Sequence, residues 1–274
     1  MKMDFNTQNF NPRFVLEPLF EKARKQDEFE FCCTLLRIKG LETIGWDTLL
    51  ESNELIHQVL KLVQEQLDGK LKVRLLLFLY CHVTEIDDLY DVVGNLLRIC
   101  LGDRYSISPF DRKLHKSGKS ADSPNSKVLR IFEWANEIGF PEIGEMLNYM
   151  LVKQVRNAFF HSDYILHNNM FNIKRGKGLL IHNYITGSIP LDWLIPKLEL
   201  GINFALVTIG LIEEQISSYR EEKIVKARIG SNGSVEDVLI TVDPEFGLSG
   251  FRSLTDLEKK KFNDKNYYKE SVNQ

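Results

Sequence analysis

The sequence predicts a mainly α-helical bundle with short β-hairpin insertions, and three observations lead there. Apolar residues recur at intervals of three and four through most of the chain up to residue 160. The period then changes: Tyr164–His167 and Met170–Lys174 flank Asn168-Asn169, a pair that tolerates the positive φ of a tight hairpin turn. A second hairpin pattern, Ile224–Ile229 and Val235–Val242 around Gly230-Ser231-Asn232-Gly233, follows near the C-terminus.

Taken in order, residues 1–12 are polar and Asn-rich and read as a loose arm. From Phe14 to Ile38 the spacing is helical, broken at Pro18 and ended by Gly40. Asp47 is placed to cap a helix running to Gln66, before an Asp68-Gly69 stop. Leu71, Leu75, Phe78, His82, Ile86, Leu89, Val93, Leu96 and Cys100 step by three and four without interruption, which predicts one long buried helix. Residues 103–125, with Pro109, Gly118 and Pro124, read as an exposed loop. Ser126–Ile138 and Glu142–Phe160 resume as helices, separated by Gly139 and Pro141. Leu179–Ile185 offers a third strand, and Ser188 and Pro190 open a helix that continues to about Glu222. The expected organisation is an N-terminal helical extension (1–69), a helical domain (70–222), and a C-terminal hairpin with a mobile tail (223–274).

Composition narrows the function classes. The chain has 274 residues, 43% apolar and 27% charged, the balance of a globular protein with a sizeable core. A net charge of -3 means that no global basic field draws it to a polyanion, so any such site must be a local concentration of Arg and Lys. The N-terminus carries no apolar core of signal-peptide length, and the apolar window Ile195–Ile212 contains Pro196, Lys197 and Glu199, so no membrane segment is expected. Cys32, Cys33, Cys81 and Cys100 form no CxxC pair, which argues for free thiols in a reducing cytoplasm and against structural zinc.

The chemistry concentrates in Gln154-Val155-Arg156-Asn157-Ala158-Phe159-Phe160-His161-Ser162-Asp163-Tyr164. An arginine forks onto two oxygens of a phosphate, and an imidazole moves a proton near neutral pH. Together they suit an anionic phosphorus transition state with proton transfer to or from oxygen, and need no metal or other cofactor. At about 100° per residue, Asn157 and His161 share a helix face whereas Arg156 and His161 diverge by about 140°. Convergence then requires the arginine to bend round, the helix to loosen at His161, or a second chain to complete the cleft.

The pattern Arg156-Asn157-Ala158-Phe159-Phe160-His161, near the end of a bundle helix and before a hairpin, resembles the HEPN superfamily (higher eukaryotes and prokaryotes nucleotide-binding domains). The resemblance covers roughly residues 70–220, with the long helix bearing Glu85, Asp87, Asp88 and Tyr90 matching the family helix that packs beside the motif. It implies a HEPN-like helical bundle and a metal-independent endoribonuclease working as a homodimer through the motif helices. The ribose 2′-OH of single-stranded RNA attacks the adjacent phosphate and leaves a 2′,3′-cyclic end. In that scheme His161 is the acid/base residue, Arg156 the phosphate clamp and Asn157 an orienting group. The resemblance also implies a defence or stress context with an antitoxin or effector partner. Family toxins controlled by nucleotidylation carry a tyrosine two residues after the histidine, whereas Tyr164 stands three away.

Around this centre lie second-tier residues. Glu85 is placed to hold Arg156, to orient His161, or to form an interhelical salt bridge; Asp163 and Tyr164 suit either the site or the turn and strand that follow. Arg112, Lys113 and Lys116 in the long loop, and Lys174 and Arg175 in the second turn, are candidate RNA-backbone contacts. Phe159 and Phe160 read as core or dimer packing before base-stacking platforms, and His82 as a satisfied core histidine before a catalyst. The alternative function is a catalytically inactive HEPN module that binds nucleotide or a partner protein.

Overall fold

A computed structural model describes residues 10–37, 48–65, 67–110, 123–176, 178–181, 184–229 and 234–259. Its helices are α1 (Pro12–Gln26), α2 (Glu28–Leu36), α3 (Thr48–Gln64), α4 (Gly69–Val83), α5 (Asp87–Cys100), α6 (Pro124–Glu137), α7 (Pro141–Met150), α8 (Lys153–Phe160) and α9 (Leu191–Ser217). The strands are β1 (Tyr164–His167), β2 (Met170–Ile173), β3 (Leu179–Ile181), β4 (Tyr184–Thr186), β5 (Ser188–Pro190), β6 (Lys223–Ile229), β7 (Ser234–Asp243) and β8 (Gly247–Ser253). The fold is therefore mainly helical with small antiparallel sheets.

Several boundaries depart from the periodicity. Pro18 does not break α1: both Phe14, whose carbonyl it leaves unbonded, and Pro18 itself lie on the exposed face, where the carbonyl is open to solvent. The break falls instead at Asp27, which ends α1 and caps α2 by accepting the Glu30 N–H at 3.1 Å. The expected long helix divides at Thr84–Ile86. There the Thr84 hydroxyl donates back to the Tyr80 and Cys81 carbonyls at 2.9 and 3.1 Å, Tyr90 donates to the Thr84 carbonyl, and Asp87 and Asp88 open α5. Its stripe is also not buried throughout, since Leu71 and Phe78 are 40% and 41% exposed. The helix expected over Glu142–Phe160 divides too, at Leu151-Val152. Asp47 lies outside the described residues, while Asp68, read as a stop, caps α4 by accepting the Leu71 N–H.

In the hairpin region Asn168 and Asn169 take φ of 49° and 58°, as the tight turn between β1 and β2 requires. The run Leu179–Ile185 is not one strand but the separate ladder β3–β4. The third strand beside β2 is β5, whose Ile189 pairs with Phe171, so Ser188–Pro190 are extended and α9 starts only at Leu191. The C-terminal hairpin β6–β7 gains a third strand, β8.

Two groups of buried side chains hold the chain together. The larger gathers α1, α2, α3, α5, α6, α7, α9 and the β6–β8 sheet, so residues on both sides of 69 and of 222 share one core. The smaller lies under α8 and the hairpins, where Val155, Ala158, Leu166, Phe171 and Ile189 meet Leu77 and Tyr80 of α4 and Leu194 and Leu198 of α9. Helix α9 has the length and hydropathy to cross a membrane, and 61% of its apolar window is buried among the other elements here. Pro196 is accommodated on its exposed face, as Pro18 is in α1.

The Tyr80 hydroxyl is fully buried where α7 gives way to α8; it donates to the Met150 carbonyl at 2.8 Å and accepts the Val152 N–H at 2.7 Å. A buried backbone group left unpaired costs about 1–3 kcal/mol, so Tyr80→Phe should lower stability by about 3 kcal/mol in urea unfolding. Lys197 of α9 is 6% exposed, with its Nζ 3.5 Å from the Tyr149 ring centre and 4.1 Å from that of Trp193. Burial lowers its pKa from 10.5 to about 8. Unfolding then takes up a proton between those two values, so this residue's contribution to stability rises with pH through that window. The difference in unfolding free energy between wild type and Lys197→Met should shift toward the wild type as pH climbs from 8 to 10.5.

Candidate functional site

Helix α8 is only two turns long, and its two faces carry different chemistry. Val155, Arg156 and Ala158 are buried on one; Lys153, Asn157, Phe160 and His161 lie at i, i+4, i+7 and i+8 on the other, and all four are exposed. The C-terminus closes in a Schellman turn: the Ser162 N–H bonds to the Phe159 carbonyl at 3.0 Å and the Asp163 N–H to the Ala158 carbonyl at 2.8 Å. This places His161 at the cap and forces Ser162 into the left-handed region at φ 53°, a position glycine usually fills.

Arg156 is 8% exposed, and its Nη1 lies 2.8 Å from Glu85 Oε1, in the turn between α4 and α5. The two form an ion pair, with Glu85 the more exposed partner. Of the three roles open to Glu85, holding Arg156 is the one observed. The guanidinium also sits close enough to Cys81 to oppose the burial that pushes this thiol up to about 12. The His161 ring, by contrast, is exposed and makes no hydrogen bond or ion pair among the described residues, and no contact joins it to Arg156. A single chain thus keeps the angular divergence that the helix geometry predicts. Asn157 accompanies His161 on the open face, its carbonyl accepting the His161 N–H at 3.0 Å.

The turn after β2 folds back onto this helix end. The Lys174 N–H donates to the Asp163 carbonyl at 2.8 Å, and Arg175 Nε lies 3.5 Å from Asp163 Oδ1. Lys174 and Arg175 therefore rim the His161 end of α8, and Asp163 ties that rim down. Tyr164 is packed between the rings of Phe159 and Phe171, at 5.4 and 5.0 Å between centres, which gives it a place in the small core. Arg112, Lys113 and Lys116 lie outside the described residues.

Three features were not legible as site residues. Lys153 and Phe160 belong to the open stripe of α8; helical spacing from His161 is the signal that finds them. Phe160 is 56% exposed, so of the two packing roles expected for it the core one does not hold, whereas Phe159 is partly buried beside Tyr164. His82 is half-buried with its Nε2 inaccessible and unpartnered, not satisfied, and burial lowers its pKa. It borders a cleft of about 380 Å³ between α3 and the α4–α5 turn, lined also by Thr48, Ser52, Glu85, Asp87 and Asp88. Each carboxylate of that cleft already meets a cation from another element: Glu85 meets Arg156, Asp87 meets Lys127 at 2.9 Å and Asp88 meets Arg37 at 2.9 Å. Among the described residues no group of three or more His, Cys, Asp or Glu is arranged to hold a metal.

A left-handed non-glycine residue costs about 1 kcal/mol or more. Ser162→Gly should therefore raise stability by about 1 kcal/mol, read as a higher thermal unfolding midpoint; an unchanged or lower midpoint would show the turn to be unstrained. Compared with known proteins, the chain matches no protein-family model, no curated protein and no solved structure, so the chemistry of α8 carries the functional reading.

Proposed function

We propose that the protein is a metal-independent endoribonuclease of the HEPN kind, acting on single-stranded RNA as a homodimer through its motif helices. The observation that carries this reading is an exposed imidazole with no side-chain hydrogen bond or ion pair among the described residues, capping the same two-turn helix that holds a buried guanidinium. Glu85, the carboxylate facing it, is itself 45% exposed. An incoming phosphate can exchange with that carboxylate and take the guanidinium fork on two oxygens.

In the proposed reaction His161 removes the proton of a ribose 2′-OH, whose oxygen attacks the neighbouring phosphorus. The bond to the 5′-oxygen breaks, that oxygen takes a proton, and the products are a 2′,3′-cyclic phosphate and a 5′-hydroxyl. Asn157, on the same face as His161, orients the substrate, and Lys174 and Arg175 bring local positive charge to a chain whose net charge is -3. The second copy supplies the opposing wall, since within one chain Arg156 and His161 open onto different faces.

One observation favours a second reading. The Arg156–Glu85 contact is also what a purely structural pair would make, and it fits an inactive module of the same kind that binds nucleotide or a partner protein.

The deciding experiment incubates the full chain with end-labelled single-stranded RNA of mixed sequence in EDTA. Cleavage should leave 2′,3′-cyclic ends and stop when the 2′-hydroxyl at the cut is removed. His161→Ala should lower the rate by about 100-fold or more, the size of a general acid–base contribution, while leaving the unfolding midpoint in place because the ring is exposed and unbonded. Equal cleavage by His161→Ala would end this assignment, and no cleavage of any RNA by the wild type would favour the inactive module.

A further inference from the structure

The exposed stripe of α8 holds more than the two residues that a proton-transfer site needs. Lys153, Asn157, Phe160 and His161 fall on one face, the first and last eight positions apart, about 12 Å at about 1.5 Å per residue. Phe160 is the feature that asks for an explanation. A phenyl ring beside an imidazole and an amide is 56% open to water, and its neighbour in the small core, Phe159, is 6.3 Å away edge-on. Both of its ring faces are not needed by the fold, because the stack Phe159–Tyr164–Phe171 is complete without it.

The same helix and the turn that folds back onto its end carry exposed cations. Lys153 and Lys174 are exposed and make no ion pair among the described residues, and Arg175, 75% exposed, pairs with Asp163. An aromatic face flanked by free cations is the arrangement that holds unpaired nucleotides, with the base on the ring and the phosphates on the lysines.

We propose that Phe160 is the base-stacking residue of the site: an unpaired base next to the cleaved bond lies on its ring, with Lys153 holding a phosphate two turns back from His161. The proposal rests on the ribonuclease reading for its substrate class and adds to it a specificity-determining residue. Stacking strength follows the area of the base, so the site prefers a purine at the stacked position.

The test separates binding from cleavage. The probe is an eight-nucleotide single strand with one 2-aminopurine and no 2′-hydroxyls, so that it cannot be cut. Its affinity and its fluorescence are measured with the full-length wild type and with Phe160→Ala, Phe160→Leu and Phe160→Trp. The wild type and Phe160→Trp should bind and quench the fluorophore; Phe160→Ala and Phe160→Leu should bind about ten- to a hundredfold more weakly and lose the quench. Binding and quenching by Phe160→Leu equal to the wild type would overturn the proposal, because an aliphatic side chain offers no stacking face. So would conversion of a wild-type dimer to a monomer by Phe160→Ala in sedimentation, which would assign the ring to a protein interface. Phe160-dependent quenching with no cleavage of ordinary RNA would sustain the platform and defeat the ribonuclease reading. Cleavage of ordinary RNA with no Phe160 dependence would do the reverse.

Discussion

One buried hydroxyl sets the geometry on which the site depends. Tyr80 meets the chain where α7 ends and α8 begins, and there satisfies an acceptor and a donor that a continuous helix would have used internally. With both groups paired to a side chain of α4, the backbone can change direction without exposing or orphaning a peptide group. The new direction of α8 puts Val155 and Ala158 into the small core, brings Arg156 to Glu85, and leaves Lys153, Asn157, Phe160 and His161 outside. A straight helix from Glu142 to Phe160 would have given those side chains another orientation against α4.

The turn at Thr84–Ile86 complements that break. It ends α4 one turn beyond Tyr80 and presents Glu85 from the connection between two helices, where its backbone is not committed to a long helical ladder. The Schellman turn at the far end of α8 then fixes His161 as the last residue before the chain reverses into β1. Two helix ends and one interhelical turn therefore determine the position of each functional side chain.

Much of this was legible in the residues, and the misses share a cause. The Asn168-Asn169 turn, the pairing of β6 with β7 and the polar and apolar faces of α8 follow from local chemistry, because backbone φ and side-chain spacing decide them. The divergence of Arg156 from His161 was likewise fixed by the helical angle alone. The two helix breaks were not legible, since three-four spacing continues through Thr84 and through Val152 and the hydrogen bonds that stop each helix involve tertiary partners, Tyr90 for one and Tyr80 for the other. Acidic residues at Asp87 and Asp88 were the local sign of a new helix start. Pro18 and Pro196 were harder still: whether a proline interrupts a helix depends on which side faces water, and that is known only after packing. The strands β3 to β5 are three residues each, too short for alternation to establish a register.

The division of buried side chains into two groups has a consequence for how the molecule opens. Only twelve buried residues, among those described, form the group beneath α8 and the hairpins, and it joins the larger core through α4 and α9. A smaller set of interlocking side chains costs less to open than the whole core, so local unfolding is expected here before global unfolding. The His161 end of α8 is thus mounted on the part of the protein that can breathe while the bundle stays closed. Hydrogen exchange at the amides of residues 153–173 would then report on the readiness of the site rather than on global stability.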